Sequence, residues 1–220
     1  MVTPMQAEMY FRGFIKGWRK GEFIVTGVIG GLIMIACFWN GSWGWGFIFL
    51  IACAVIYYIV SLFPSDADID KSFIELKDEK AKDSLGRLDI EKKDIVREPF
   101  IVMGADVERF EDSVEGDDKA MRYNPMVAAV IHFGKNQIFV NEISLNLIEP
   151  NRYVGKTNEF FYKDISSVSI QDEKAGKMFS IKVQGEIELA IAVDMDRASL
   201  KAAEEAVSTI RKMLREKKQS

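Results

Sequence analysis

Cysteine and histidine are scarce in this chain of 220 residues, its 29 bases are outnumbered by 33 acids, and one long stretch has no charge of either sign. The two cysteines, Cys37 and Cys53, both fall inside that uncharged stretch, residues 23–65. The rest of the chain therefore has no cysteine pair for a disulfide framework or a metal cluster, and they read as small helix residues. With His132 as the single histidine, histidine-rich zinc sites and paired-histidine catalysis are excluded. The chain carries net charge −4, and the four bases and two acids ahead of residue 23 leave −6 for the remainder. Nucleic acid is not an expected partner, because generic binding needs a basic field that displaces counterions from phosphates.

Motifs of known chemistry are equally absent. Gly155-Lys156-Thr157 has the ending of a phosphate-binding loop, but the required first glycine falls at Pro150. Asp66, Asp68 and Asp70 have the spacing of a calcium loop, yet Lys71 stands where the obligatory glycine belongs and no Glu closes it. Asn40-Gly41-Ser42 fits a glycosylation sequon. No serine, threonine or cysteine lies in a pattern that supplies a base. The chain reads as non-catalytic, without metal or cofactor.

What is present is a segregation of apolar residues. Residues 23–39 and 47–63 are apolar runs of 17 residues each, about 26 Å of helix, which is near the thickness of a bilayer core. The turn-rich segment from Asn40 to Gly46 separates them, so the sequence predicts a two-helix transmembrane hairpin over residues 23–63. Trp18, Trp39, Trp43 and Trp45 flank the runs, where tryptophan prefers the membrane interface. Arg12, Lys16, Arg19 and Lys20 precede the first run while the turn has no base, which places both termini in the cytoplasm. Residues 1–22 read as an interfacial helix whose four bases contact lipid. Gly27 and Gly31, at four-residue spacing, are candidate helix-packing positions, within the chain or in a homo-oligomer.

After Pro64, Ser65-Asp66-Ala67-Asp68 reads as a capping box opening a helix. Ile69, Phe73, Leu76, Leu85 and Leu88 trace a broken apolar stripe, so residues 64–98 form a stalk or a side-packed element. A short helical turn is expected at residues 90–96, before Pro99. Alternating strands follow at about 100–103, 127–133, 137–147, 157–162, 165–170, 178–183 and 187–193. The third changes parity, with Ile138 and Val140 in one phase and Ile143, Leu145 and Leu147 in the other, which predicts a bulge near Asn141-Glu142. A last helix opens at Asp196 and buries Leu200, Ala203, Val207, Ile210 and Leu214. Arg211, Lys212, Arg215, Lys217 and Lys218 crowd its end, suited to the helix dipole, and the first three are candidate contacts for anionic lipid.

Seven antiparallel strands closed by a carboxy-terminal helix resemble a pleckstrin-homology-like domain. The run from Glu159 through Phe160-Phe161-Tyr162-Lys163-Asp164 to Ile165-Ser166-Ser167-Val168-Ser169-Ile170 is similar to the aromatic strand, Asp-Ile turn and Val-rich strand of bacterial pleckstrin-homology-like and GRAM-like domains. The resemblance covers residues 100–217 and implies a curled antiparallel β-barrel, the α+β part of the fold, with residues 99–220 as its domain. It implies no catalytic residues. Its bacterial members are often tied to membrane helices, so the chain is expected to be a multi-pass protein of the bacterial inner membrane. Phosphoinositide binding in the eukaryotic relatives depends on bases around the first strand-to-strand loop. Here residues 105–126 carry seven acids against three bases, which argues for a solvated flap or a partner-binding insertion instead. The expected function is a membrane-anchored interaction or scaffold module with an unidentified protein partner. The alternative is a ligand-gated two-helix membrane effector of antiphage type, sensing through its β domain.

Overall fold

The computed structural model describes residues 1–12, 51, 54–55, 58, 63–105, 112–173, 176–193 and 197–218. Helices α1 (Pro4–Arg12) and α2 (Asp66–Ala81), the single turn α3 (Ser84–Arg87) and a 3-10 turn (Lys92–Asp94) precede the strands. These are β1 (Ile95–Ala105), β2 (Asp112–Glu115), β3 (Met121–Asn124), β4 (Met126–Gly134), β5 (Gln137–Leu145), β6 (Gly155–Phe161), β7 (Ile165–Glu173), β8 (Gly176–Val183) and β9 (Glu186–Ala192). Helix α4 (Arg197–Lys218) follows. Seven strands form one antiparallel sheet in the order β6-β5-β4-β1-β9-β8-β7, and β2 pairs with β3 alone. Among the described residues the sheet is open, with β6 and β7 as its two ends.

Local chemistry explains the boundaries. The Ser65 hydroxyl accepts from the Asp68 N–H at 3.2 Å and the Asp68 carboxylate accepts from the Ser65 N–H at 2.9 Å, the reciprocal capping box expected from the sequence. Gln184 and Gly185 both have positive φ, 51° and 97°, which gives a two-residue hairpin between β8 and β9 a twist that matches its strands. Pro99 lies where the β1–β4 register shifts, between Arg97 and Phe100, since proline donates no ladder bond. β1 meets β9 through one register pair, Ala105 with Ala192.

The sheet is covered on both faces. Val102, Ile131, Phe133, Ile138, Phe179 and Ile181 form one core with the buried stripe of α4, Ala203, Val207, Ile210 and Leu214. On the other face Ile69, Phe73 and Leu76 of α2, with Ala7 and Phe11 of α1, pack on Met103, Ala128, Val130, Ile143 and Leu145. Helix α2 is thus side-packed on the sheet. This second layer also accounts for the parity change in β5. Ile138 and Val140 enter the first core and Ile143 and Leu145 the second, while β5 pairs with β4 and β6 in unbroken register, so the expected bulge near Asn141-Glu142 is absent.

The membrane part of the expected fold is corrected. Among the described residues no helix is long and apolar enough to cross a membrane. The expected spans, residues 23–39 and 47–63, lie outside the described residues except at Ile51, Ala54, Val55, Tyr58 and Phe63. An uncharged apolar run reads the same whether its helix is buried in lipid or in protein, so hydropathy alone had carried the hairpin. The multi-pass inner-membrane localisation with cytoplasmic termini rested on that hairpin and is withdrawn with it. The expected acidic loop, residues 105–126, also differs in its described part, which is the ordered β2–β3 hairpin; residues 106–111 lie outside the described set.

Candidate functional site

Strand β7 ends the sheet, and its far side faces α4 across a groove. Two adjoining depressions, about 680 and 360 Å³, follow the strand from Ser166 to Gln171, and Arg211 and Arg215 line both. Val168, Val207 and Leu214 are buried along it, while Ser166, Ser167 and Gln171 are exposed. The Arg211 Nε–H donates to the Val168 carbonyl at 2.9 Å. That carbonyl therefore points away from β8, and by the alternation of an antiparallel ladder the N–H and C=O groups of Val168 and Ile170 form the outer edge. Among the described residues Arg211 supplies the one hydrogen bond to this edge. Arg215 donates from Nε to the Arg211 carbonyl at 3.3 Å, and neither guanidinium has a carboxylate partner among the described residues. Among the described residues Glu204 is the single acid lining the groove.

A second cluster ties the helical layer to the β2–β3 hairpin. The Arg122 side chain, 6% exposed, donates from Nε and Nη2 to the two oxygens of Asp70 at 2.8 Å each. It also donates from Nη1 and Nη2 to Asp118 at 2.9 Å. Asp66 lies 3.8 Å from Nη1, accepts from the Tyr10 hydroxyl at 2.7 Å and from the Asp117 N–H at 2.8 Å. The hydrogen bonds from Arg122, then that from the Ala120 N–H, hold the Asp118 carboxyl well below the usual carboxylate range. Burial, and then its bond to Asp66, pushes the Tyr10 phenol above its usual value. Asp66 and Asp70 thus turn to an arginine and Asp68 caps α2, so the three acids of calcium-loop spacing do not converge.

Beneath α3 the Ser84 Oγ and His132 Nε2 lie 2.9 Å apart, both residues buried. This serine and base are 48 residues apart, so no spacing motif announces them. Nearby Tyr153 donates to the Asn141 Oδ1 at 3.0 Å under the Arg87 guanidinium, and the Asn141 Nδ2 has no partner. Burial lowers the His132 pKa from 6.5, so the folded protein prefers the neutral ring. The unfolded chain then binds the proton more tightly, and stability falls as pH drops below about 6.5, through the folded value. Denaturant midpoints at pH 7.5 and 5.5 are expected to show this decline, and His132→Gln to remove it. An equal decline in the variant would assign the effect elsewhere. Ser84→Ala is expected to cost about 1–2 kcal/mol by leaving a buried nitrogen unpaired.

Arg12 donates from Nε to Asp112 at 2.7 Å, joining α1 to β2. Lys212 is exposed on α4 and is not among the residues that line the groove. Lys16, Arg19, Lys20, Gly27, Gly31, Trp18, Trp39, Trp43 and Trp45 lie outside the described residues. Asn141, Tyr153 and Arg122 were not foreseen; the last had a signal, as one of three bases among seven acids. No protein-family model matches the chain, and no curated protein matches its sequence.

Proposed function

We propose that the chain is a non-catalytic docking module of pleckstrin-homology-like type, taking an extended acidic segment of a partner protein onto the open edge of β7 beside α4. The observation that carries this reading is the Arg211 Nε to Val168 carbonyl bond, which marks an outward-facing row of backbone groups next to a groove. An added strand satisfies such a row and gains affinity from the main chain, while the groove walls select side chains. A charge laid across an edge also protects it from unwanted pairing. Here the guarding charge is the selecting one as well: when the incoming strand takes over the Val168 carbonyl, the displaced guanidinium meets its side chains. With Arg211 and Arg215 against Glu204 alone, acidic side chains are favoured. The opposite edge, β6, has Lys156, Thr157 and Glu159 exposed, and among the described residues no helix packs closely on it. The alternative of a membrane-breaching effector needed the hairpin and goes with it.

The test is fluorescence anisotropy on the full chain with two labelled nonapeptides, one alternating valine with glutamate and one alternating valine with lysine. The Val–Glu peptide is expected to bind and the Val–Lys peptide to bind at least about fivefold more weakly, the worth of a partly exposed ion pair. Arg211→Ala, Arg215→Ala together are expected to erase the preference. Equal binding of both peptides to the unaltered chain sinks the proposal.

A further inference from the structure

We infer that the cavity beneath the β2–β3 hairpin binds a small amphipathic cation, an aliphatic or arylalkyl ammonium compound. This site is separate from the β7 groove. The cavity measures about 650 Å³ and lies among α2, β1, the β2–β3 hairpin and the first turns of α4. Its volume falls within the range of small-molecule sites, roughly 300–1,000 Å³. Phe73, Ile101, Met103, Met121 and Met126 give it an apolar wall. Three of those are methionines, whose unbranched thioether chains adapt to an irregular ligand. Ile74 and Met121 stand at the mouth, 46% and 40% exposed, more apolar surface than two side chains of a closed interface would leave in water.

Charge at the rim chooses the class. Four charged residues line the cavity, Asp70, Lys77, Asp118 and Arg122. The two cations are withdrawn: Arg122 is 6% exposed and held by both aspartates, and Lys77 is 22% exposed and lies 3.2 Å from Asp78. Asp70 and Asp118 are each 52% exposed, so the charge that a ligand meets is carboxylate. Asp66 beside them adds to the same sign. A carboxylic acid or phosphate would face repulsion there, whereas an ammonium group gains it as attraction with the tail among the methionines. Ser199 and Ala202, which line the cavity from α4, carry no charge and suit the tail.

The experiment uses the full chain labelled with carbon-13 at its methionine methyls, titrated by NMR with n-octylammonium, n-octanol and octanoate. Octylammonium is expected to shift Met103, Met121 and Met126 saturably, octanol to bind about fivefold more weakly for want of the ion pair, and octanoate to leave them unmoved. Ala202→Trp fills the cavity and is expected to abolish the shifts; Ile74→Trp, at the more exposed mouth, serves if the first variant does not fold. The inference is overturned by octanoate binding as well as octylammonium, by methyl shifts elsewhere, or by a folded filling variant that binds as the unaltered chain does. Because neither variant touches β7, the peptide assay remains an independent measure of the docking reading.

Discussion

Replacing Arg122 with alanine is expected to destabilise the protein by about 3 kcal/mol, near the lower end of what breaking a buried ion pair costs. Arg122 joins Asp70 of α2, Asp118 of the hairpin turn and, at 3.8 Å, Asp66. Without it three carboxylates face each other across the contact between helix layer and hairpin. Asp70 and Asp118 are half exposed, so water relieves part of that repulsion, which is why the lower figure applies. Arg122→Lys is expected to recover little, because an ammonium cannot reproduce four hydrogen bonds to two carboxylates. Acid adds a second signature. With its folded pKa depressed, Asp118 contributes stability above the unfolded value of 3.8 that is lost as pH falls through the folded one. That acid-side loss is expected to shrink in Arg122→Ala. A change in denaturation midpoint equivalent to less than about 1 kcal/mol, typical of an exposed pair, would show that the cluster is ornamental.

The other large effect is expected at Gly104. A Cβ there would collide with the Ala192 carbonyl oxygen, with the carbonyl carbon at 2.7 Å and with the Ile191 Cγ2 at 2.7 Å. The obstacle is backbone, held in place by Ile191 and Leu189 in the core, so it cannot yield as a flexible side chain would. Gly104→Val is therefore expected to cost about 3 kcal/mol, the upper end for overpacking. The damage falls where β1 and β9 share a single register pair, the seam between the β6-β5-β4-β1 half of the sheet and the β9-β8-β7 half. Amide exchange in β8 and β9 should accelerate ahead of that in β4 and β5. Gly86→Ala is the control, since nothing lies within 4 Å of the added carbon. Equal stability of Gly104→Val and the unaltered chain would mean that the two halves are not closely joined there.

The main sheet was legible because period-two alternation and turn residues survive in sequence. All seven expected strands have counterparts, and the Gln184-Gly185 turn and the α4 stripe lie where the pattern puts them. Features that depend on a second layer were not legible. The parity change in β5 looked like a bulge because one strand feeding two cores on opposite faces gives the same pattern as a kink. The β2–β3 hairpin looked like solvent-facing loop because its acids, drawn to Arg122 and Arg12, mask short strands of four residues each. Ser84 and His132, like Asn141 and Tyr153, meet only through tertiary packing. The hairpin over residues 23–63 was read from hydropathy, which measures how apolar a helix is and says nothing of what surrounds it. For the groove, sequence supplied the parts, a Val-rich strand and a basic helix end, and the structure brings them to one edge.

Residue-resolved amide hydrogen exchange of the full chain, with and without the Val–Glu nonapeptide, tests the docking account most directly. Strand addition at β7 predicts slowed exchange at the Val168 and Ile170 amides, whose N–H groups form the open edge, with exchange in β6 and in the β2–β3 hairpin unchanged. Protection confined to β6 or to the hairpin, with Val168 and Ile170 exchanging as before, would contradict it.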